Sequence, residues 1–520
     1  MNDNSSDFAQ LIDLPYGWVS EPIGRHLIGR GSSLNPSKFP DEIFELFSVP
    51  SYETGMPELV RGRNIGSSKQ FVCPGQVLLC KINPRINRAW IVGPNSGHRQ
   101  IASTEWIIFD ANDALDSSYL RYYLSQNNIR SFLASNVSGV GGSLMRVKPS
   151  TLAPYPIVIA PRSEQSRIAS KIDELFSRIE AGENALNQAK TLVERYRKSV
   201  LKAAVTGELT RDWREKNKGK IEPADKLIER ILKSRREAWK ESELAKMKAK
   251  TTAPANGGLK RKYGERTAPD ADNISDHPNG WVWATIGQLF SVNIGSTPSR
   301  KEATYWNGDI PWVSSGEVAF CRIQDTREKI TNLGLSKSST KLNPPGTVLV
   351  AMIGEGKTRG QAAILDIAAC NNQNAAAIRV SESGIPPEFI YYFFVERYEE
   401  SRRAGRGGNQ PALNKLIIEN TLIPLPPLSE IELIVTRISA ALAFSQNCLK
   451  ALLDQEVDTQ KLRQSVLKSA FEGRLVPQDS KDEPGSTLLA RIRGQSASPV
   501  ATRSVRSKKT ARLEGGNRAD

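Results

Sequence analysis

Two short segments of this chain have spacings that could serve nucleotide or base chemistry. Ala351-Met352-Ile353-Gly354-Glu355-Gly356-Lys357-Thr358 fits the loosest phosphate-loop pattern, with alanine at the first glycine position. A working phosphate loop needs a following helix whose N-terminus faces the phosphates, and a magnesium-binding aspartate at the end of another strand. Here Arg359-Gly360-Gln361 leads into Ala362-Ala363-Ile364-Leu365, which reads as a further strand, so nucleotide hydrolysis is not expected. Asn343-Pro344-Pro345-Gly346 has three of the four residues of the Asn-Pro-Pro-aromatic loop that holds a flipped base in amino-methyltransferases. The aromatic that would stack on the base is missing, and the segment reads as a turn before a strand. The three histidines (His26, His98, His277) lack metal-ligand spacing, and the five cysteines are too few and too scattered for a disulfide framework or a zinc site. The residues therefore predict no catalytic group, no bound cofactor and no metal in this chain.

The composition points elsewhere. The chain has 520 residues with 71 Lys plus Arg against 56 Asp plus Glu, a formal +15, and 39% hydrophobic residues. That is a globular composition with room for three or four domains. No apolar run approaches the roughly 18 residues that span a bilayer, and the polar opening MNDNSSDFAQ does not resemble a secretory signal. A cytoplasmic protein with no membrane partner is expected. The basic surplus suggests a nucleic-acid partner, but 11 of the 15 surplus charges fall in residues 209–275 and 476–520.

The elements that would position any site are repeated. Lys198-Ser199-Val200-Leu201-Lys202 through Gly207-Glu208-Leu209 returns 266 residues later as Gln464-Ser465-Val466-Leu467-Lys468 through Gly473-Arg474-Leu475. Upstream, Ile157 to Pro161 with Ser163-Glu164 matches Ile423 to Pro427 with Ser429-Glu430. Leu14-Pro15-Tyr16-Gly17-Trp18-Val19 matches His277-Pro278-Asn279-Gly280-Trp281-Val282. Each copy has a Pro-Gly entry to an apolar strand (Pro74-Gly75, Pro345-Gly346) and a glycine-rich loop (139–142, 405–408).

The predicted fold is α+β: two mixed α/β domains in tandem, each followed by a long helix, with the two helices packing as an antiparallel coiled coil. The predicted boundaries are 1–162 for the first domain, 163–208 for its helix and 209–275 for a charged linker containing a basic helix (Pro223 to Lys250). The second domain is 276–428, its helix 429–475, and 476–520 a basic, disordered tail. Ile168, Ile172, Leu175, Ile179, Leu186, Val193 and Val200 keep a 3-4 spacing, the seam of a helix that needs a partner. Ile434, Ile438, Ala441, Leu452, Leu462 and Val466 form the equivalent seam. Ile168 to Thr206 would be roughly 58 Å long as a helix.

With the repeats in place, the chain resembles the specificity subunit of type I restriction–modification systems. The resemblance rests on Gly295-Ser296-Thr297-Pro298-Ser299-Arg300 with Trp306-Asn307-Gly308-Asp309-Ile310-Pro311-Trp312-Val313, and on Cys370-Asn371-Asn372-Gln373-Asn374. It also rests on Gln410-Pro411-Ala412-Leu413-Asn414 and on the helix end Ala470-Phe471-Glu472-Gly473-Arg474-Leu475. In the first half, Gly29-Arg30-Gly31-Ser32-Ser33 departs from the threonine-proline opening. The resemblance implies a subunit without catalysis of its own, in which each target recognition domain reads half of a split, asymmetric site in double-stranded DNA. It implies that the paired helices set the gap, that two methyltransferase subunits bring S-adenosylmethionine, and that restriction subunits bring ATP and Mg2+. The rival readings are a self-sufficient DNA adenine methyltransferase with degenerate motifs, and a scaffold that binds proteins only.

Base reading favours Arg, Lys, Asn and Gln, while phosphates take Arg, Lys and backbone amides, and the candidates chosen on this basis cluster in turns. In the first domain these are Arg61, Arg63, Asn64, Lys81, Arg85 and Arg88; in the second, Arg300, Lys301, Lys357, Arg359, Arg402, Arg403 and Arg406.

Overall fold

Each copy of the repeated Pro-x-Gly-Trp segment forms the same turn, because a glycine at the third position can take a left-handed backbone that other residues resist. In a computed structural model of the chain, Gly17 has φ 77° and Gly280 φ 86°. The Trp18 N–H donates to Pro15 O, and Trp281 N–H to Pro278 O, both at 3.0 Å. The structure describes residues 14–28, 33–111, 113–137, 145–249, 276–354, 357–403 and 413–496. The chain divides into two compact units, residues 1–186 with 454–520, and residues 187–453. The division falls within both long helices, Arg162–Val205 and Leu428–Phe471, each of 44 residues.

In the first unit, strand Val19–Pro22 runs antiparallel to Pro156–Ile159. A three-stranded sheet has the order Ala89–Ile91, Val77–Cys80, Trp106–Phe109. A five-stranded sheet has the order Ser33–Leu34, Lys69–Phe71, Arg99–Ser103, Ile43–Phe47, Glu58–Arg61. Helix Ser117–Leu124 starts where the Asp116 side chain accepts from Ser118 N–H at 2.9 Å and Tyr119 N–H at 3.1 Å, satisfying two of the N–H groups that a helix start leaves open. Its Tyr119, Tyr122 and Tyr123 are buried in the core beside Ile168, Ile172, Val466, Leu467 and Phe471 of the long helices.

The second unit repeats this plan. Strand Val282–Thr285 pairs with Leu422–Leu425, and the Pro-Gly entry at Gly346 (φ 79°) leads into Thr347–Ala351 as Gly75 (φ 87°) leads into Val77–Cys80. Thr347–Ala351 lies between Ala375–Arg379 and Ala362–Leu365 in a five-stranded sheet that ends in Ser291–Ile294 on one side and Cys321–Ile323 on the other. Helix Pro387–Arg403 covers it. The segment after Gly354 thus reaches a strand, as read from the sequence; Glu355 and Gly356 lie outside the described residues.

The long helices are anchored at both ends. Near the start, the indole of Trp18 donates to Glu164 Oε2 at 3.0 Å, and that of Trp281 to Glu430 Oε2 at 2.9 Å. At the far end each helix stops at a left-handed glycine, Gly207 (φ 74°) or Gly473 (φ 69°). A Cβ at Gly473 would come 2.3 Å from Pro15 Cγ, and one at Gly207 would come 2.5 Å from Pro278 Cγ. The second helix therefore ends against the first unit's Pro-x-Gly-Trp turn, and the first helix ends against the second unit's.

Within each unit, early residues of one long helix meet late residues of the other. In the first unit Arg463 pairs with Glu183 at 2.9 Å and lies over the Phe176 ring at 5.0 Å. In the second, Tyr196 meets Phe444 edge-on, with ring centroids 6.4 Å apart. Of the expected seam, Ile168, Ile172, Ile179, Val200, Ile434, Ile438 and Val466 are buried, and Leu175, Leu186, Val193, Ala441 and Leu452 half-buried. Leu462 departs from the expectation at 50% exposed, since the inward face there runs through Arg463, Val466, Leu467 and Ala470.

The tail needs a larger correction. Residues 476–496 are ordered, with a helix at Gly485–Ser496 whose Leu488 and Leu489 are buried in the first unit's core. The cause is a further repeat. Glu483-Pro484-Gly485-Ser486-Thr487-Leu488-Leu489-Ala490-Arg491-Ile492 matches Glu222-Pro223-Ala224-Asp225-Lys226-Leu227-Ile228-Glu229-Arg230-Ile231 at the start of linker helix Ala224–Ala249. Gly485 N–H donates to Gly17 O at 2.8 Å, as Ala224 N–H donates to Gly280 O at 3.0 Å. Arg491 pairs with Glu483 at 3.2 Å, as Arg230 pairs with Glu222 at 2.5 Å. Both helices bury their leucines beside the tryptophan turn.

Candidate nucleic-acid interface

In the second unit, strand register decides which loops share an edge. Ile294 stands opposite Ala376, Ala351 opposite Ala375, and Val350 opposite Ala362. The ends Ile294 and Ala351 and the starts Ala375 and Ala362 therefore lie along one edge of the sheet. Segments 295–301, 352–361 and 371–374 all leave from that edge, and Met352 N–H donates to Asn374 O at 2.8 Å. Four expected contact residues, Arg300, Lys301, Lys357 and Arg359, sit in those segments. Arg402 joins them: its guanidinium lies 5.5 Å from the Tyr398 ring, and the Tyr398 hydroxyl donates to Lys357 O at 2.6 Å.

Arg300 is held from two sides. Its guanidinium lies 3.8 Å above the Trp306 ring and forms a two-pronged pair with Glu328, geometry that favours arginine over lysine. The guanidinium holds the Glu328 carboxyl below the usual carboxylate range. Lys301 and Lys357 are exposed. Arg403 lies in the last turn of its helix, with its side chain outside the described residues, as are all of Arg406 and both glycine-rich loops, 139–142 and 405–408.

The first unit builds the matching edge from its three-stranded sheet. Segment 81–88 joins Val77–Cys80 to Ala89–Ile91, and Cys80 stands opposite Trp106 at the start of the third strand. Lys81, Arg85 and Arg88 therefore occupy the place that 352–361 takes in the second unit. Arg88 pairs with Glu53 at 3.3 Å, and Asn87 donates to Leu124 O at 2.7 Å, which ties the loop to a core helix. Arg61, Arg63 and Asn64 lie instead on the five-stranded sheet, after strand Glu58–Arg61, with Arg63 paired to Asp41 at 2.6 Å. The structure thus gathers Arg300, Lys301, Lys357, Arg359 and Arg402 of the second unit and divides the candidates of the first between two sheets.

Two arginines of the first unit escape a sequence reading based on turns. Arg146 makes two 3.0 Å bonds to Glu105, and its neighbour Val147 donates to Lys81 O at 3.0 Å. Arg99 lies over the rings of Phe39, Phe44 and Phe71 at 4.5, 5.1 and 5.9 Å. Arg99 begins a strand, and only the fold brings three phenylalanines from separate segments beneath it. Thr297 and Gln373, bonded at 2.7 Å on the second unit's edge, were also missed; their signal was residence in the Ser-Thr-Pro and Asn-Asn-Gln-Asn motifs. Among the described residues, no group of three or more His, Cys, Asp or Glu could hold a metal, and no helix is long and apolar enough to cross a membrane.

The profile of the family described as type I restriction modification DNA specificity domain matches residues 278–455. The type I restriction enzyme EcoDI specificity subunit of Escherichia coli is 20% identical over 397 residues, covering 74% of this chain and 78% of that protein. The EcoKI specificity subunit of Escherichia coli K12 is 22% identical over 409 residues, covering 75% of this chain and 74% of its own. In fold, a chain solved in the context of assembly and conformational transition of the type I R-M system superposes with a TM-score of 0.64 at 19% identity, covering 89% of this chain and 99% of its own. The HsdS subunit from Thermoanaerobacter tengcongensis superposes with a TM-score of 0.53 at 19% identity, over 89% of this chain and 98% of its own.

Proposed function

We propose that this chain, whose residues 278–455 match the type I restriction modification DNA specificity domain, is a specificity subunit of a type I restriction–modification system that recognises a bipartite, asymmetric site in double-stranded DNA and performs no chemistry itself. The observation that carries this reading is the repetition of one edge: each unit gathers basic side chains on loops at the same end of the same three strands, 81–88 in one and 352–361 in the other. Each unit reads one half of the site through that edge. Arginine and lysine in these loops supply phosphate and base contacts, and the surrounding carboxylates fix their directions.

The long helices form an antiparallel coiled coil that sets the gap between the half-sites. At 44 residues each, they are about 66 Å long, about two turns of DNA at roughly 34 Å per turn. Methyltransferase subunits dock on exposed faces of these helices, where Leu192 and Leu453 are 62% and 54% exposed. S-adenosylmethionine binds those subunits, and ATP and Mg2+ bind the restriction subunits. The rejected phosphate-loop and Asn-Pro-Pro segments support the absence of catalysis in this chain over a self-sufficient methyltransferase.

Domain exchange tests the reading. Replacing residues 276–428 with those of a relative, in complex with the methyltransferase subunits, should change one half of the methylated sequence and leave the other half and the gap intact. A change in both halves overturns it, as does methyl transfer by the purified chain alone.

A further inference from the structure

We infer that Gln373 reads a base of the second half-site and that Thr297 positions it for that task. This deepens the recognition role proposed above and rests on it. Gln373 is exposed on the edge where Arg300, Lys301 and Lys357 emerge. The Thr297 hydroxyl donates to Gln373 Oε1 at 2.7 Å, which orients the amide. Its Nε2 hydrogens have no partner among the described residues, and Oε1 keeps a second lone pair. The donor–acceptor pair that glutamine offers to adenine N7 and N6 is therefore intact, and the Nε2 donor alone suits guanine N7 or O6, or thymine O4.

The support beneath this exposed pair is rigid. Asn371, 1% exposed, donates through Nδ2 to Asn372 O at 2.9 Å and Ala375 O at 2.7 Å, while its Oδ1 accepts from Asn343 Nδ2 at 2.9 Å. Its carbonyl accepts from Ser296 N–H at 3.0 Å and from the Thr340 hydroxyl at 3.1 Å. The Trp312 indole then holds Ser296 O at 3.0 Å. A Cβ at Gly295 would fall 1.8 Å from Asn371 O, so only glycine lets the Thr297 loop lie this close to the Gln373 turn. The Asn371 amide, bonded at both its nitrogen and its oxygen, specifies one geometry for the turn. Glutamine otherwise loses considerable side-chain freedom when it binds; here much of that ordering is present before DNA arrives.

The test uses the chain assembled with its methyltransferase subunits and a DNA library randomised over the second half-site. Gln373→Ala should lower methylation of the wild-type site roughly 10- to 100-fold and broaden the preference at one base position, with the first half-site and the thermal unfolding curve unchanged. Thr297→Val should broaden the same position by less, and Thr297→Ser should restore it. Loss spread equally over all sequences would identify a phosphate contact and overturn the inference, as would an unchanged preference. A wild-type complex with no base preference would instead overturn the recognition role itself.

Discussion

Glu164 and Glu430 occupy the same place in the repeat and take the same tryptophan bond, but they do not have the same surroundings. Glu430 also accepts from the Thr210 hydroxyl at 2.6 Å and pairs with Arg214, whose side chain is only 16% exposed. In the first unit Val476 and Ser480 stand where the repeat would put those partners, and Glu164 Oε1 is buried without a partner. Burial consequently pushes the Glu164 carboxyl above its ordinary value despite the Trp18 bond. A carboxyl whose folded pKa is raised stabilises the fold most when protonated, below the ordinary value of 4.5, and that contribution is lost as pH rises through the raised folded value. Glu164→Gln should thus leave stability at pH 7 unchanged or increase it, and should flatten the pH dependence just above 4.5. Glu430→Ala, which strands Arg214, should cost about 3–5 kcal/mol. Denaturant unfolding of both variants at pH 5 and pH 7 measures the difference. The two glutamates were visible in the sequence as repeat landmarks. Their bonds to tryptophans 146 and 149 residues away were not, because spacing within a repeat does not encode contacts made across it.

At the scale of elements, the helix that closes each repeat matters more than its length suggests. Gly485–Ser496 has 12 residues, too short to be stable alone in water, so packing holds it. Leu488 is 1% exposed in the first unit's core. Arg493 reaches Glu21 at 2.6 Å, and Arg167 reaches Asp482 at 2.7 Å. Leu488→Ala should destabilise the first unit by about 2–5 kcal/mol and leave the second unit's transition in place, as limited proteolysis of the two units would reveal. Low apolar content made the region read as disordered. The recurring Glu-Pro-x-x-x-Leu-(Leu/Ile)-x-Arg-Ile pattern was the better signal, since two copies of one segment can fill two copies of one groove. The long helices were legible for the opposite reason: a 3-4 seam sustained over many turns leaves a helix as the one structure that buries it. The seam's precise face at Leu462 depended on the partner residues opposite and was not legible.

For the whole molecule, the proposed roles of loops and helices separate cleanly. Inserting one heptad at matching places in Arg162–Val205 and Leu428–Phe471 should change the gap in the recognised sequence and neither half-site, read by methylation mapping; altered half-site bases would mean that the helices do not act as a spacer. Lys301→Ala with Lys357→Ala should weaken binding to all sequences alike and reduce the salt slope by about 0.9 for each phosphate that is no longer neutralised. By itself, the sequence determined the repeat, the mixed domains, the two long helices and the lack of recognisable catalytic motifs. Those properties follow from residue order and local periodicity, which survive without knowledge of contacts. Tertiary structure decided which loops share an edge, where strand register brings 295–301, 352–361 and 371–374 together. It also decided that Thr297 fixes Gln373, and that the tail helix fills a groove beside Gly17. Those outcomes depend on pairings between distant residues, and chain order alone does not specify them.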